Sequence, residues 1–370
     1  MSSTEISRKR RSHANHRSVT LKQLAEKLGL SPATVSVVLN GSIVAGTISQ
    51  GTKDLIFATA RKLNYRPNFF ARSLRTQRSL TIGVIVPEVS EGYATAVLSG
   101  IEDHLLRAGY FYFVASHRHR EDLIDEYPKL FLDRAVDGII AVDTHWHHRL
   151  RVPVVTVSGR NEAPGVVNVV LDHELAARLA LEHLARLGHR QIAFIKGQAF
   201  SSDTEIRWNA IQKAAAALGI VVSPKLTVQL EGDEATPHLG YKVTTALIKS
   251  RRPFTAIFAF NDISAIGAIR SLRESGLRVP EDVSVVGFDD IQSAAYQNPA
   301  LTTIRQPLRN MGSIAAEAVL RHIRHASPRP TTKQITVIPE LIVRDTTCAP
   351  GTARPETSGR REKSEGRKLE

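Results

Sequence analysis

Cysteine is almost absent from this chain: Cys348 is the only one in 370 residues. That excludes an internal disulfide framework and any multi-cysteine metal centre, and makes a cytoplasmic location the expectation. No run of 18 apolar residues occurs, so no membrane-spanning helix is expected. The first residues are polar and basic and lack the apolar centre of a secretory leader. The phosphate-cradling patterns GxxxxGK and GxGxxG are missing, as are HExxH and GxSxG. No catalytic constellation stands out, and the expectation is a protein that is not an enzyme and carries no cofactor. The run His145-Trp146-His147-His148 invites a metal reading, but a polar loop is favoured over a ligand set, because ligands normally converge from several elements.

Acidic residues are scarce in one place only. Residues 1–80 hold 14 Lys/Arg against 3 Asp/Glu, whereas residues 81–345 hold 29 of each. Most of the +13 formal charge therefore sits in the first fifth of the chain. Charge segregated in this way indicates a small polyanion-binding module joined to a neutral body.

Residues 1–17 and 346–370 have no hydrophobic periodicity and are expected to be disordered tails, the first one basic. Between residues 18 and 66 the pattern is helical. Leu21, Leu24, Ala25 and Leu28 form one apolar stripe, with Thr20 as N-cap and Gly29 as stop. Ser31 caps a second short helix that has Pro32 in its first turn and runs to Leu39. A third is expected over Thr52–Leu63, with Leu55, Ile56, Thr59 and Leu63 turned inward. Two short helices joined by Gly29-Leu30-Ser31 make a helix-turn-helix, whose second helix suits a major groove.

From Leu80 short apolar β-rich runs alternate with amphipathic helices. The runs are 81–87, 111–116, 137–143, 152–158, 166–172, 191–197, 227–230, 256–260 and 283–289. Helices are expected over 94–107, 173–187, 204–218, 237–249, 262–275 and 308–324. Such wiring predicts parallel sheets covered by helices on both faces. The strands are too many for one compact sheet, so two doubly wound subdomains with a ligand cleft at the strands' carboxyl ends are expected.

The residues Val19–Ala25, Gly29–Ser36 and Leu39-Asn40 resemble the DNA-binding headpiece of the lac repressor family (LacI/GalR). So do Leu63–Asn68 and Ala71–Arg75. In the body the likeness continues through Thr81–Pro87, Leu187–Arg190, Phe260–Asp262, Val279–Asp290, Leu301–Ile304 and Pro339–Arg344, so it spans about residues 18–345. It implies an all-α helix-turn-helix headpiece on an α/β core of two doubly wound, periplasmic-binding-protein-like subdomains. The headpiece is placed at 18–66, a hinge at 67–79 and the core at 80–345. The N-subdomain comprises about 80–170 and 306–335, the C-subdomain about 171–305 and 336–345. The family consists of dimeric, sometimes tetrameric, regulators, usually repressors, of a pseudo-palindromic operator. A small effector sits between their subdomains.

The resemblance assigns base reading to Pro32, Ala33 and Val37. All three are apolar here, so they suit thymine methyl contact and not bidentate guanine readout. Thr20, Lys22, Ser31, Thr34, Ser36 and Asn40, with Lys53, are candidates for positioning the module on the duplex. In the hinge, Asn68, Ala71, Leu74 and Arg75 are expected at the DNA, and Leu74 aligns with the leucine that wedges a base step. For the effector, Arg207, Asn261 and Asp289 lead, followed by Tyr93, Ser158, Ser202 and Gln306. An Arg fork with Asp and Asn suits hydroxyls or a carboxylate. The family's frequent aromatic platform falls at Glu234, and an acid used by some sugar binders falls at Ser158. A sugar or sugar-like effector is the default, with a non-sugar effector left open, as is corepression in place of induction. A solute-binding module without a DNA role is the distant alternative.

Overall fold

The computed structural model describes residues 19–40, 43–65, 78–90, 92–159, 163–325 and 334–351. The chain divides into two compact units, Met1–Ser79 and Leu80–Glu370.

In the first unit α1 spans Leu21–Leu28 and is opened by a capping box, in which Thr20 and Gln23 satisfy each other's backbone N–H groups. Gly29 ends it in the left-handed region (φ 64°), which a glycine enters without steric cost. Helix α2, Pro32–Leu39, is capped by Ser31 and carries Pro32 in its first turn. Helix α3, Gln50–Lys62, starts before the expected Thr52 because Ser49 caps it. Leu24, Ala25, Val35, Val38, Ile56 and Ala60 are buried together. Leu55, expected inside, is 54% exposed. Ile56 and Ala60 stand four apart on the inner face, which turns the neighbouring position 55 outward.

The second unit holds two six-stranded sheets. The first contains β1 (Thr81–Val86), β2 (Phe111–Ser116), β3 (Gly138–Val142), β4 (Val154–Val157), β5 (Val167–Leu171) and β11 (Gln334–Val337), in the order β11-β5-β4-β3-β1-β2, all parallel. The second contains β6 (Ile192–Lys196), β7 (Thr227–Gln229), β8 (Ala256–Phe258), β9 (Ser284–Asp289), β10 (Thr302–Arg305) and β12 (Glu340–Ile342), in the order β12-β10-β9-β8-β6-β7. Only the β10–β12 pair of this sheet is antiparallel.

Helices cover both faces of each sheet, and the strands show why. In β1, Ile82, Val84 and Val86 join one apolar cluster with α4 (Tyr93–Arg107) and α10 (Leu308–His325), while Ile85 joins another with Phe131 of α5 (Glu121–Asp133). In β6, Ile192 and Phe194 meet α6 (His173–Leu187) and α7 (Ser202–Ala217); Ala193 and Ile195 meet α8 (Pro237–Lys249) and α9 (Asp262–Glu274). A run that is apolar on both faces of a period-two strand reads as continuous in sequence. Helix pairs cross closely at glycine: a Cβ on Gly100 of α4 would lie 1.8 Å from the Arg309 carbonyl oxygen of α10.

Several elements depart from expectation. Helix α5 carries Pro128 inside it, a residue that normally marks a helix end. Strands β10, β11 and β12 are three or four residues long, too short for a periodic signal. Residues 346–351, expected as tail, belong to the body. Thr346 is fully buried, accepts from the Val285 N–H at 2.7 Å through its carbonyl oxygen, and accepts from the Thr302 N–H at 2.8 Å through its hydroxyl. The Cys348 N–H donates to Ser284 Oγ at 3.0 Å. Short polar residues hid this segment, since they are buried by hydrogen bonding and not by hydrophobicity. Strand β11 stays in the first sheet through Val337, so the return to the second lobe falls at residues 338–339 and not at 335–336. No described helix is long and apolar enough to cross a membrane.

Candidate effector cleft and DNA-reading helices

In the helix-turn-helix, Pro32 and Ala33 are exposed and Val37 is half-exposed, while Val35 and Val38 face the core. The exposed edge of α2 therefore carries short apolar side chains at Pro32, Ala33 and Val37. Around it the polar side chains are pre-paired. Ser31 and Thr34 hydroxyls lie 2.8 Å apart, and Asn40 Nδ2 donates to the Ser36 carbonyl at 2.6 Å. Lys22 is exposed on α1 and Thr20 caps it; Lys53 is half-buried on α3. Asn68, Ala71, Leu74 and Arg75 lie outside the described residues.

In the body, the carboxyl ends of both sheets face one cleft, open in part to solvent. Tyr93 at the start of α4, Arg207 on α7, Asn261 before α9 and Asp289 at the end of β9 line it, and Glu234 is exposed at its rim. Ser158, Ser202 and Gln306 sit behind the lining residues. Ser202 Oγ donates to Asp143 at 2.5 Å and lies against the Ser158 carbonyl oxygen, so the start of α7 touches the ends of β3 and β4. Gln306 Nε2 donates to Asp289 Oδ1 at 2.6 Å. Asn261 spends its side-chain oxygen capping α9.

Arg207 forms the floor. Its guanidinium lies 3.7 Å from the Phe288 ring centroid and 4.4 Å from that of Phe260. Nη1 donates to the Phe260 carbonyl at 2.5 Å and Nη2 reaches Asp203 at 3.4 Å. Its Nε has no hydrogen-bond partner among the described residues, nor has Gln306 Oε1. Asp203 also meets His173 Nε2 at 3.6 Å.

Burial and mutual repulsion shape the acids. Burial, joined by the charge of Asp203, pushes Asp143 up to about 6. Burial pushes Asp289 up to about 7, against the pull of Arg207 and Gln306. For Asp203 burial is outweighed by His173 and Arg207, which hold it below the usual range. Burial, then Asp203, lifts Tyr93 well above its ordinary value. Asp143, Ser158, Asp289 and Asp290 all have positive φ (40°, 53°, 108° and 53°), strain that gathers where these strands end at the cleft.

Sequence reasoning missed Asp143, Asp203, His119 and Phe200. Position offered a signal for two of them: Asp143 directly follows β3, and Asp203 precedes Arg207 by one helical turn. His119 and Phe200 stack at 4.0 Å on the cleft wall and supply an aromatic surface that Glu234 does not. The His145–His148 run is only partly a polar loop. Trp146 is fully buried and donates from Nε1 to the His148 carbonyl at 2.9 Å. His147 and His148 both approach Asp125, at 3.1 and 3.3 Å.

A helix-turn-helix unit carried on a two-lobed body with a ligand cleft at the carboxyl ends of both sheets defines a ligand-responsive, DNA-binding transcriptional regulator. Residues 20–68 match the model of bacterial regulatory proteins of the lacI family, and residues 181–347 match that of a periplasmic binding protein-like domain. The HTH-type transcriptional repressor PurR of Aliivibrio fischeri strain MJ11 is 30% identical over 313 residues, covering 82% of this chain and 92% of that protein. Among solved structures, the lac repressor dimer bound to operator and the anti-inducer ONPF matches with TM-score 0.78 and 27% identity, over 90% of this chain and 100% of that one. The complex of transcriptional regulator CelR with cellobiose matches with TM-score 0.66 and 27% identity, over 89% and 99%. The chain belongs to the lacI family of bacterial regulatory proteins.

Proposed function

We propose that this regulator is a cytoplasmic, non-enzymatic repressor that binds a pseudo-palindromic operator as a homodimer and changes its DNA affinity when a small polar effector occupies the cleft. The buried Arg207 fork, clamped between Phe260 and Phe288 with Nε unpaired, carries the reading. A desolvated guanidinium held in one orientation is an expensive arrangement unless a polar partner completes it. Tyr93, Asn261 and Asp289 are the further effector contacts, and Ser158, Ser202 and Gln306 position them. A ligand touching both lobes favours one angle between them, and only that difference in affinity can bias the operator.

DNA reading falls to Pro32, Ala33 and Val37, with apolar contact in place of guanine readout, and the hinge adds Leu74. Phosphate attraction comes from the +11 of residues 1–80. Electrophoretic mobility shifts with the chain's own upstream DNA test this. Operator affinity is expected to fall ~10³-fold or more between about 50 and 200 mM salt, as counterion release requires. Absence of binding at low salt would instead leave a solute-binding module.

Dimerisation has a candidate face on the N-lobe. Strand β2 lies at the sheet edge and exposes Phe111, Phe113 and Val114, with Leu106 of α4 exposed beside it in sequence. An apolar patch of this kind marks a protein contact. Phe111→Glu with Phe113→Glu is expected to yield a monomer by analytical ultracentrifugation and to weaken operator binding at least tenfold, since two linked headpieces act as one bivalent ligand. A dimeric double variant would move the interface elsewhere.

A further inference from the structure

The charge of the cleft is lopsided. Six carboxyl groups line it: Asp203 and Asp289 are buried and Asp143 is half-buried, while Glu88, Asp233 and Glu234 stand at or nearer the surface. Arg207 is the one Lys or Arg among the described lining residues. That single cation is already engaged, with Nη2 toward Asp203 and Nη1 on the Phe260 carbonyl. His173 gives Asp203 a second partner.

Asp203 is thus paired directly, whereas Asp289, buried, and Asp143, half-buried, feel Arg207 without a direct pairing. The hydrogen bonds of Asp143 and Asp289 come from neutral donors, the Ser202 hydroxyl and the Gln306 amide. A buried carboxylate without a counter-charge costs several kcal/mol or gives up its ionisation. Both acids take the second course and hold their protons toward neutral pH. The groups facing them are Arg207 and Asp203 on α7, Tyr93 on α4, and Asp262 at the start of α9. His119, from the loop after β2, is held below its ordinary value by burial. None adds free positive charge. A carboxylate or phosphate ligand would enlarge the excess; an ammonium would cancel it.

We infer that the effector is a small amine-bearing polyol, bound as a cation, whose ammonium meets Asp143 and Asp289 while its hydroxyls meet Arg207 and Asn261. This rests on the cleft being the effector site. Phe200, 46% exposed and stacked on His119, offers an aromatic face to the same positive charge. When the ammonium arrives, Asp143 and Asp289 ionise and release their protons to solvent. Affinity therefore rises with pH through about 6 to 7 and falls again as the free amine loses its proton.

The test uses the full chain and two matched sets: glucosamine, glucose and glucuronate, and galactosamine, galactose and galacturonate. Titration calorimetry in phosphate and in a second amine-free buffer of different ionisation enthalpy reads both affinity and proton release. The expected result is an amino sugar bound at least tenfold more tightly than its neutral partner, with net proton release that Asp289→Asn reduces, and no binding of the uronates. A neutral sugar or uronate bound as tightly as the amine overturns the inference. If that ligand also alters operator binding, the regulator reading stands while the charge inference falls. Should none of the six bind, the unliganded protein decides. Asp143→Asn with Asp289→Asn is expected to raise Tm at pH 8 by several degrees if these carboxylates lack a counter-charge, and an unchanged or lower Tm overturns it.

Discussion

Arg207→Lys is expected to abolish the effector response while leaving operator binding intact. The substitution keeps one positive charge near Asp203 and so preserves the buried pair. It removes the planar fork, the donation to the Phe260 carbonyl and the stacking between Phe260 and Phe288. A lysine ammonium is a point charge on a flexible stem and reproduces none of these. Charge-assisted hydrogen bonds contribute about 1.5–3 kcal/mol each, so the effector affinity should fall ~100-fold. Titration calorimetry for the effector and mobility shift for the operator measure the two sides separately. Full effector response in the variant would move the clamp away from Arg207.

Asp262→Ala should be strongly destabilising, and Asp262→Asn close to neutral. Asp262 is fully buried; its Oδ2 accepts from the Ile291 N–H at 2.9 Å and its Oδ1 pairs with Thr303 Oγ1 at 2.5 Å. It therefore ties α9 to β10 and to the loop that follows Asp289. Burial, with the nearby Asp289 charge, holds its carboxyl well above the usual range. Asparagine retains an acceptor for Ile291 and offers a donor to Thr303, without the cost of a buried charge. Alanine strands a buried N–H and a buried hydroxyl at about 1–3 kcal/mol each, which lowers Tm by roughly 5–15 °C in a domain of this size. Thermal unfolding followed by circular dichroism checks both variants. The pH dependence follows from the raised pKa: the parent loses stability as pH rises from the ordinary Asp value toward the folded one, and Asp262→Asn removes that slope.

Local rules made much of this architecture legible. Thr20, Gly29, Ser31 and Pro32 each act within one turn of chain, and those residues bound α1 and α2. Arg207 and Asn261 could be singled out because the family resemblance aligns them with its effector site, and Asp289 also because it stands at a strand's carboxyl end, where such sheets bind ligands. Non-local events escaped. Asp143 and Asp203 are distant in sequence, and they share a site only because Ser202 brings the start of α7 to the ends of β3 and β4. The role of Ser202 and Gln306 behind the lining depends on the same meeting. Pro128 sits inside α5, where a proline normally ends a helix, and Leu55 showed that an apolar residue need not face a core when Ile56 and Ala60 already fill it. Thr346 gave no apolar signal at all.

The two lobes are joined three times: between β5 and α6, between β10 and α10, and between β11 and β12. Two of these passages are stitched side by side by the Asp172 N–H on the Val337 carbonyl at 3.0 Å. Gln306 lies on the remaining one and grips Asp289. Whatever pulls on Asp289 therefore pulls on one of the three passages themselves. It also follows that a protease cutting one passage would leave a nicked molecule whose halves stay joined by the other two.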